Sequence, residues 1–333
     1  MSEIDPLISL GIESTADNLG VGIASSDGSI LANEVKVHVP ELGGIHPREA
    51  ARHHSEYIGL VVSSALEKAK LRAKDIDLIS FAQGPGLGPC LRTGATSARA
   101  LSTYLKIPLV GVNHCVAHIE IGRLSTGAKD PLTLYVSGGN TMVSGFESGR
   151  YRIFGETLDI AIGNCLDTFA RLVGLEYPGG PAIEKAAQKG SNLIHLPYGV
   201  KGMDMSFSGL LTAVSNEFRS GKHTVPDLCF SLQETAYAML GEVTERALAH
   251  TRKQEVLLTG GVGANKRLRS VIGEIALEQG VAPHYVPIGY ATDNGAMIAW
   301  TGIIAHRSGI ITRLESSHID PKWRIDEVEI PWR

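Results

Sequence analysis

One run of short strands occurs twice in this chain, and that repeat restricts the fold more than any single motif. Over residues 8–37, β-prone stretches alternate with turns: Ile8-Ser9-Leu10-Gly11-Ile12, Gly20-Val21-Gly22-Ile23-Ala24, and then 30–37 after Asp27-Gly28, a dipeptide that favours hairpins. The arrangement returns over 132–157: a strand at 132–136, the turn Ser137-Gly138-Gly139-Asn140, a strand at 141–146, the turn Glu147-Ser148-Gly149-Arg150, and a strand at 151–155. Each meander leads into alternating helices and strands. The patterning predicts helices over 46–70, 94–105, 158–173, 207–218, 233–251, 265–277 and 294–306, with apolar strands at 78–82, 109–112, 255–259 and 284–286. Two antiparallel meanders, each followed by α/β units, predict an α/β protein of two similar lobes with a cleft between them. The alternative is a single α/β domain with incidental hairpins. The turn-rich stretch at 126–131 sets the expected division: an N-terminal lobe 1–129, a C-terminal lobe 130–300, and a helix end and tail, 301–333, packing back on the first lobe.

Composition narrows the class. With 333 residues, 43% of them apolar, the chain can bury a sizeable core. No apolar run approaches the roughly 18 residues of a membrane span, and Glu3 and Asp5 stand where a signal peptide would be basic. The cysteines (Cys90, Cys115, Cys165, Cys229) are scattered without a CxxC pair, which suits a reducing cytoplasm. At a net charge of −4, contact with nucleic acid has to come from a local patch. Basic groups cluster at Arg48, Arg52, His53 and His54 and again at Lys266, Arg267 and Arg269; each is either a solvated helix face or such a patch.

Glycine is the outlier, at 38 residues. Three glycine-bearing loops at strand ends suit a phosphate or nucleotide: Gly11-Ile12-Glu13-Ser14-Thr15, Ser137-Gly138-Gly139-Asn140-Thr141, and Gly260-Gly261-Val262-Gly263-Ala264-Asn265, which runs from a strand into a helix. Without Cβ atoms, backbone N–H groups can face an anion. Neither GxxxxGK[ST] nor GxGxxG is present. Four more segments read as site loops: Gly84–Pro89, Gly163–Asp167 with Asp167 on a helix, Tyr177–Glu184 with Glu184 in a first helical turn, and Tyr290–Met297, where Thr292 or Asp293 suits an N-cap.

His114-Cys115-Val116-Ala117-His118 places two imidazoles on one helical face, close enough to share a metal ion. Zinc peptidases use this spacing with a Glu after the first His as general base. Here that position is Cys115, so the pair reads either as a metal site of another kind or as two histidines ending a helix.

Together these segments resemble the universal tRNA threonylcarbamoyladenosine transferase family, in particular its archaeal/eukaryotic branch, the catalytic subunit of the KEOPS complex. The match is carried by GPGLGPCLRTG at 84–94, NHCVAH at 113–118, YVSGGNT at 135–141, DTFA at 167–170 and YPGGP at 177–181. SFSGL at 206–210, TGGVGAN at 259–265 and TDNGAM at 292–297 extend it. The family was long described as O-sialoglycoprotein endopeptidases. The resemblance implies two duplicated ribonuclease-H-like lobes, as in actin, sugar kinases and Hsp70 ATPases. It implies one divalent metal, iron or zinc, on His114, His118 and Asp293, with Tyr135 as an extra ligand. It also implies an adenine nucleotide site, for threonylcarbamoyl-AMP, AMP or an ATP analogue, formed by Tyr135, Val136, Ser137, Gly138, Gly139, Asp167, Gly180, Glu184 and Asn265.

The expected reaction is transfer of the threonylcarbamoyl group to N6 of the adenosine beside the anticodon, in tRNAs reading ANN codons, with release of AMP. The Ser137–Gly139 turn would assist, and Asp167 is the candidate for taking the amine proton. Implied partners are tRNA, a small kinase-like ATPase, a small dimerising subunit and an accessory subunit, with no membrane. The rivals are a sugar or acetate kinase of the same fold, a metallopeptidase, and a catalytically silent scaffold, which would carry no metal.

Overall fold

The computed structural model describes residues 6–39 and 44–333; the acidic start with Glu3 and Asp5 lies outside them. The chain forms two compact units, one from Met1–Ser125, Ser148–Tyr151 and Asp293–Arg333, the other from Thr126–Glu147 and Arg152–Thr292.

In the first unit, β1 (Ile8–Glu13), β2 (Asn18–Ser25) and β3 (Ile30–Val37) form the expected meander. Helix α1 (Pro47–Ala69), β4 (Leu78–Gly84), α2 (Gly88–Leu105), β5 (Leu109–Asn113) and α3 (His114–Thr126) follow. The sheet order is β3-β2-β1-β4-β5, with β1 antiparallel to β2 and parallel to β4. The second unit repeats the plan with β6 (Leu132–Val136), β7 (Thr141–Glu147), β8 (Arg150–Glu156), α4 (Ile162–Leu172) and α5 (Gly179–Ala187). The hairpin β9 (Val200–Lys201) and β10 (Asp204–Met205) leads to α6 (Ser208–Ser220), α7 (Val225–Thr251), β11 (Glu255–Thr259), α8 (Lys266–Gln279), β12 (Ala282–Tyr285) and α9 (Ile288–Ala291). Its sheet order, β12-β11-β6-β7-β8, is that of the first sheet read backwards. Helix α10 (Gly295–Arg307) returns the chain to the first unit.

Helix α10 is apolar almost all round, so it needs apolar or backbone surface on several sides. It crosses β1 and β2 at glycines. Gly11 and Gly22 are register partners; a Cβ on Gly11 would overlap Ala299 N, one on Gly22 would overlap Ala296 N, and one on Gly295 would overlap Gly22 N. This crossing sets the place of the residues just before α10.

Two helices start earlier than periodicity alone predicts, α2 through a proline in its first turn and α7 through a polar cap, both ahead of the apolar pattern. Helix α2 begins at Gly88, with Pro89 in its first turn. Helix α7 begins at Val225, capped by the Thr224 hydroxyl, which accepts the Asp227 N–H at 3.2 Å. The Asp227 carboxylate in turn accepts the N–H groups of Ser191 and Asn192, both at 3.0 Å, and the Thr224 hydroxyl at 2.8 Å. These bonds, led by the Ser191 N–H, hold its carboxyl well below the usual range. A depressed folded-state pKa adds stability at pH values above the unfolded carboxyl, near 3.9, which is lost as pH falls further. Asp227→Asn is therefore expected to melt below the wild type at pH 7. Thermal scans should show that gap closing as pH approaches 2; a gap of constant size would rule out the charge as its source. Among the described residues, no helix is long and apolar enough to cross a membrane.

Candidate metal centre

The side chains of His114, His118 and Asp293 converge, each offering one ligand atom within 4.8 Å of the others. All three belong to the first unit. Asn113 at the end of β5 starts α3: its Oδ1 accepts the N–H groups of Cys115 and Val116 at 3.0 and 3.1 Å. His114 is thus the first helical residue and His118 follows one turn later on the same side, their ring centroids 4.7 Å apart. Asp293 arrives from the other end of the chain. Asn294, rather than Thr292 or Asp293, caps α10 by accepting the Met297 N–H at 3.0 Å. That leaves the Asp293 carboxylate to face the imidazoles, with Oδ1 3.0 Å from His118 Nε2 and 3.5 Å from His114 Nε2.

Glu13, at the end of β1, completes the arrangement and is fully buried. Its Oε2 lies 3.0 Å from His114 Nδ1, while Oε1 accepts the N–H of Thr15 at 2.7 Å and its hydroxyl at 2.5 Å. Burial opposes a charge on His114, but Glu13 and Asp293 outweigh it and raise the imidazole to about 9. At His118 burial prevails and lowers the pKa. Burial likewise pushes Asp293 up, yet His114 and the hydrogen bond from His118 pull it down to about 2. Burial pushes the Cys115 thiol far above its usual range, so it is not available as a thiolate.

Two imidazoles and one carboxylate on a buried, acid-rich patch fit a divalent transition metal with coordination positions left open. A carboxylate on the remote nitrogen of a ligand histidine fixes which nitrogen faces the metal. Glu13→Ala is expected to weaken zinc or cobalt binding by about 10–100-fold. Glu13→Gln, which keeps an acceptor, should lose less; unchanged affinity in titration of both variants would remove Glu13 from this role.

The other expected site residues lie in the second unit, around the C-terminal ends of β6 and β11. Ser137–Asn140 is a tight hairpin turn, the Asn140 N–H bonding to Ser137 Oγ at 3.0 Å. Tyr135 is buried, its hydroxyl 3.5 Å from Asn140 Nδ2. Gly163 at the start of α4 donates to Ser137 O. Asp167, further along α4, accepts the Gly179 N–H at 2.7 Å and so caps α5, and burial raises its pKa. Glu184 lies in the middle of α5, not in its first turn, and accepts the Lys266 N–H at 2.9 Å. Asn265 caps α8 through Leu268 N and donates to Gln233 Oε1. Side chains added at Gly138, Gly139 or Gly180 would meet open space, so backbone is presented bare there.

Two glycine segments do other work than expected. Gly11 sits inside β1 under α10 and faces no open loop, and Glu13 and Thr15 of the same motif hold His114. The loop at 84–89 backs onto Asp320 and Thr15. The motif's acid and hydroxyls were visible in the sequence, but nothing there paired them with a histidine about 100 residues away.

A family model for tRNA N6-adenosine threonylcarbamoyltransferase, TsaD, matches residues 29–300. A Thermococcus kodakarensis protein named tRNA N6-adenosine threonylcarbamoyltransferase is 54% identical over 326 residues, covering 98% of this chain and 100% of that one. The chain belongs to the tRNA N6-adenosine threonylcarbamoyltransferase family. A Methanothermobacter thermautotrophicus relative, named a probable bifunctional tRNA threonylcarbamoyladenosine biosynthesis protein, is 55% identical over 98% of this chain, which spans 61% of that longer protein. Among solved structures, HypF from T. kodakarensis aligns over 92% of the chain and 50% of its own length at TM-score 0.63 and 15% identity. Component A of the Acidaminococcus fermentans (R)-2-hydroxyglutaryl-CoA dehydratase aligns over 89% and 98% at 0.56 and 14%. At such identities the likeness is one of fold, and it agrees with the duplicated α/β plan expected for this transferase family.

Proposed function

We propose that this protein transfers the threonylcarbamoyl group from threonylcarbamoyl-AMP to N6 of the adenosine beside the anticodon, in tRNAs reading ANN codons. The observation that carries this reading is the convergence of His114, His118 and Asp293 in a chain of this family. In the reaction the adenosine amine attacks the carbamoyl carbonyl carbon, a C–N bond forms, and the bond to the AMP phosphate oxygen breaks. AMP leaves and the amine gives up one proton.

The second unit supplies the nucleotide-binding elements. Bare backbone at Gly138, Gly139 and Gly180 lets N–H groups approach the adenylate, and the Ser137–Gly139 turn offers donors to a developing oxyanion. Asp167, its pKa raised by burial, is the candidate proton acceptor. Val136, Glu184 and Asn265 complete the site by the motif match. His114, His118 and Asp293 would hold iron or zinc, which when bound supplies Lewis-acid stabilisation of charge. The place of Tyr135 as a further ligand rests on the motif alone. The cytoplasm is the expected compartment, and all four cysteines are free and buried.

The bifunctional name of some relatives supports reading the chain as one member of an assembly. By family resemblance that assembly is KEOPS-type, with a small kinase-like ATPase, a dimerising subunit and an accessory subunit. Against a peptidase, Glu13, the carboxylate beside His114 Nδ1, is already engaged by His114 and Thr15. A sugar or acetate kinase would not need the histidine pair. The test is reconstitution with tRNA, threonine, bicarbonate, ATP, the adenylate-forming synthase and the partner subunits. The modified nucleoside is expected by mass spectrometry; its absence from the full mixture would overturn the reading.

A further inference from the structure

Helices α1 and α2 begin side by side, with Cys90 Sγ 3.6 Å from Pro47 O. Both are tied to the turn that carries Glu13 and Thr15 onto His114. From α1, His54 Nε2 bonds to Ala16 O at 2.9 Å. From the approach to α2, the Leu87 N–H donates to Thr15 O at 2.8 Å, and Gly86 lies so close that a Cβ would be 2.8 Å from that carbonyl. One short turn therefore joins the metal centre to the second turn of α1 and to the start of α2.

Three arginines stand around these starts. Arg48 follows Pro47, Arg52 is one turn further on the same side of α1, and Arg92 lies two residues beyond Cys90; all three are exposed. Among the described residues none of them makes an ion pair or a side-chain hydrogen bond. Several arginines elsewhere are engaged: Arg72 with Asp75, Arg123 with Glu120, Arg246 with Glu242, and Arg267 with Glu234. Arg152, Arg252 and Arg313 are exposed without such a partner among the described residues, but they lie apart in the chain, whereas Arg48, Arg52 and Arg92 gather where α1 and α2 start side by side. Glu49 and Glu56 share α1, yet neither pairs with Arg48 or Arg52. Guanidinium groups left unpaired keep their forked donors for an external anion, and phosphate oxygens match that geometry. The grouping is local, on a chain of net charge −4.

We propose that Arg48, Arg52 and Arg92 form a docking surface for the phosphate backbone of the RNA substrate, beside the turn that holds His114. The inference rests on the reading of tRNA as substrate. Phosphate contacts fix register and carry no sequence information, so this surface positions the RNA without selecting its bases.

The experiment measures tRNA affinity of the assembled complex across about 50–200 mM salt. It compares the wild type with the Arg48→Ala, Arg52→Ala, Arg92→Ala triple variant, the triple Arg→Lys variant, and Arg72→Ala as an exposed control. Each lost phosphate contact should lower the slope of log K against log salt by about 0.7–0.9, so the triple alanine variant should lose about two units of slope and bind about 10–100-fold more weakly. The lysine variant should recover most of the slope, and Arg72→Ala should match the wild type. Unchanged slope and affinity in the triple alanine variant, with modified nucleoside still formed by the wild type, would overturn the surface and leave the transferase reading intact. Retained tRNA affinity with loss of co-purifying partner subunits would assign the arginines to a protein interface and also overturn it. Failure of the wild type both to bind tRNA and to form product would instead sink the reading on which the surface rests.

Discussion

His118→Ala is expected to yield protein that folds, carries almost no metal, and forms modified nucleoside at least about 100–1,000-fold more slowly, a loss of the order seen when a main charge-stabilising group is removed. His118 is fully buried and has Asp293 Oδ1 at 3.0 Å, so alanine removes one of the three converging donors. Two donors hold a transition metal far less firmly than three. Asp293→Asn tests the same centre while keeping its shape: it removes the carboxylate charge that faces both imidazoles. Cys115→Ala is the control on the same helix, because its protonated thiol is outside the converging set. Elemental analysis and nucleoside mass spectrometry should move together in the first two variants and stay near wild type in the third. Full activity of His118→Ala without metal would remove the centre from catalysis.

Gly22→Val should be among the most damaging single changes to the first unit. Its side chain would have to occupy the space of the α10 backbone at Gly295 and Ala296, and no rotamer can avoid a clash that begins at Cβ. Backbone cannot yield as a flexible side chain does, so the cost is on the order of 4 kcal/mol or more, at the severe end for single substitutions. For a unit of this size that corresponds to a fall in Tm of about 10 °C. The damage should reach the metal centre, because α10 begins two residues after Asp293. Calorimetry together with zinc titration would show both effects. Gly289→Ala, where a Cβ meets open space, should change neither much. A Gly22→Val protein melting within about 2 °C of wild type would mean that α10 does not depend on this close crossing.

Much of the site was legible in the chain. The His114/His118 spacing is a local property, since residues four apart on a helix share a face wherever that helix is placed. The duplicated meanders were legible because alternation with turns is also local, and both appear with the same sheet order. The capping of α10 was read less well. Thr292, Asp293 and Asn294 are all good cap residues, and only the backbone path selects Asn294. The same holds for Glu184, which α5 carries beyond its first turn because that helix begins at Gly179.

The sequence by itself determined the repeated α/β plan, the imidazole pair, and the match in motif order that marks the family, because each depends on residues near one another in the chain. Only the tertiary structure decided that Glu13 fixes His114, that the Asp293 carboxylate, joined to the histidines in the sequence by resemblance alone, lies within reach of both, and that Gly11 with Gly22 serves the crossing of α10 instead of a phosphate. Those pairings join residues about 100 to 290 positions apart. No local propensity encodes them; they follow from which strand neighbours which in the sheet and from how closely backbone meets backbone at the glycines.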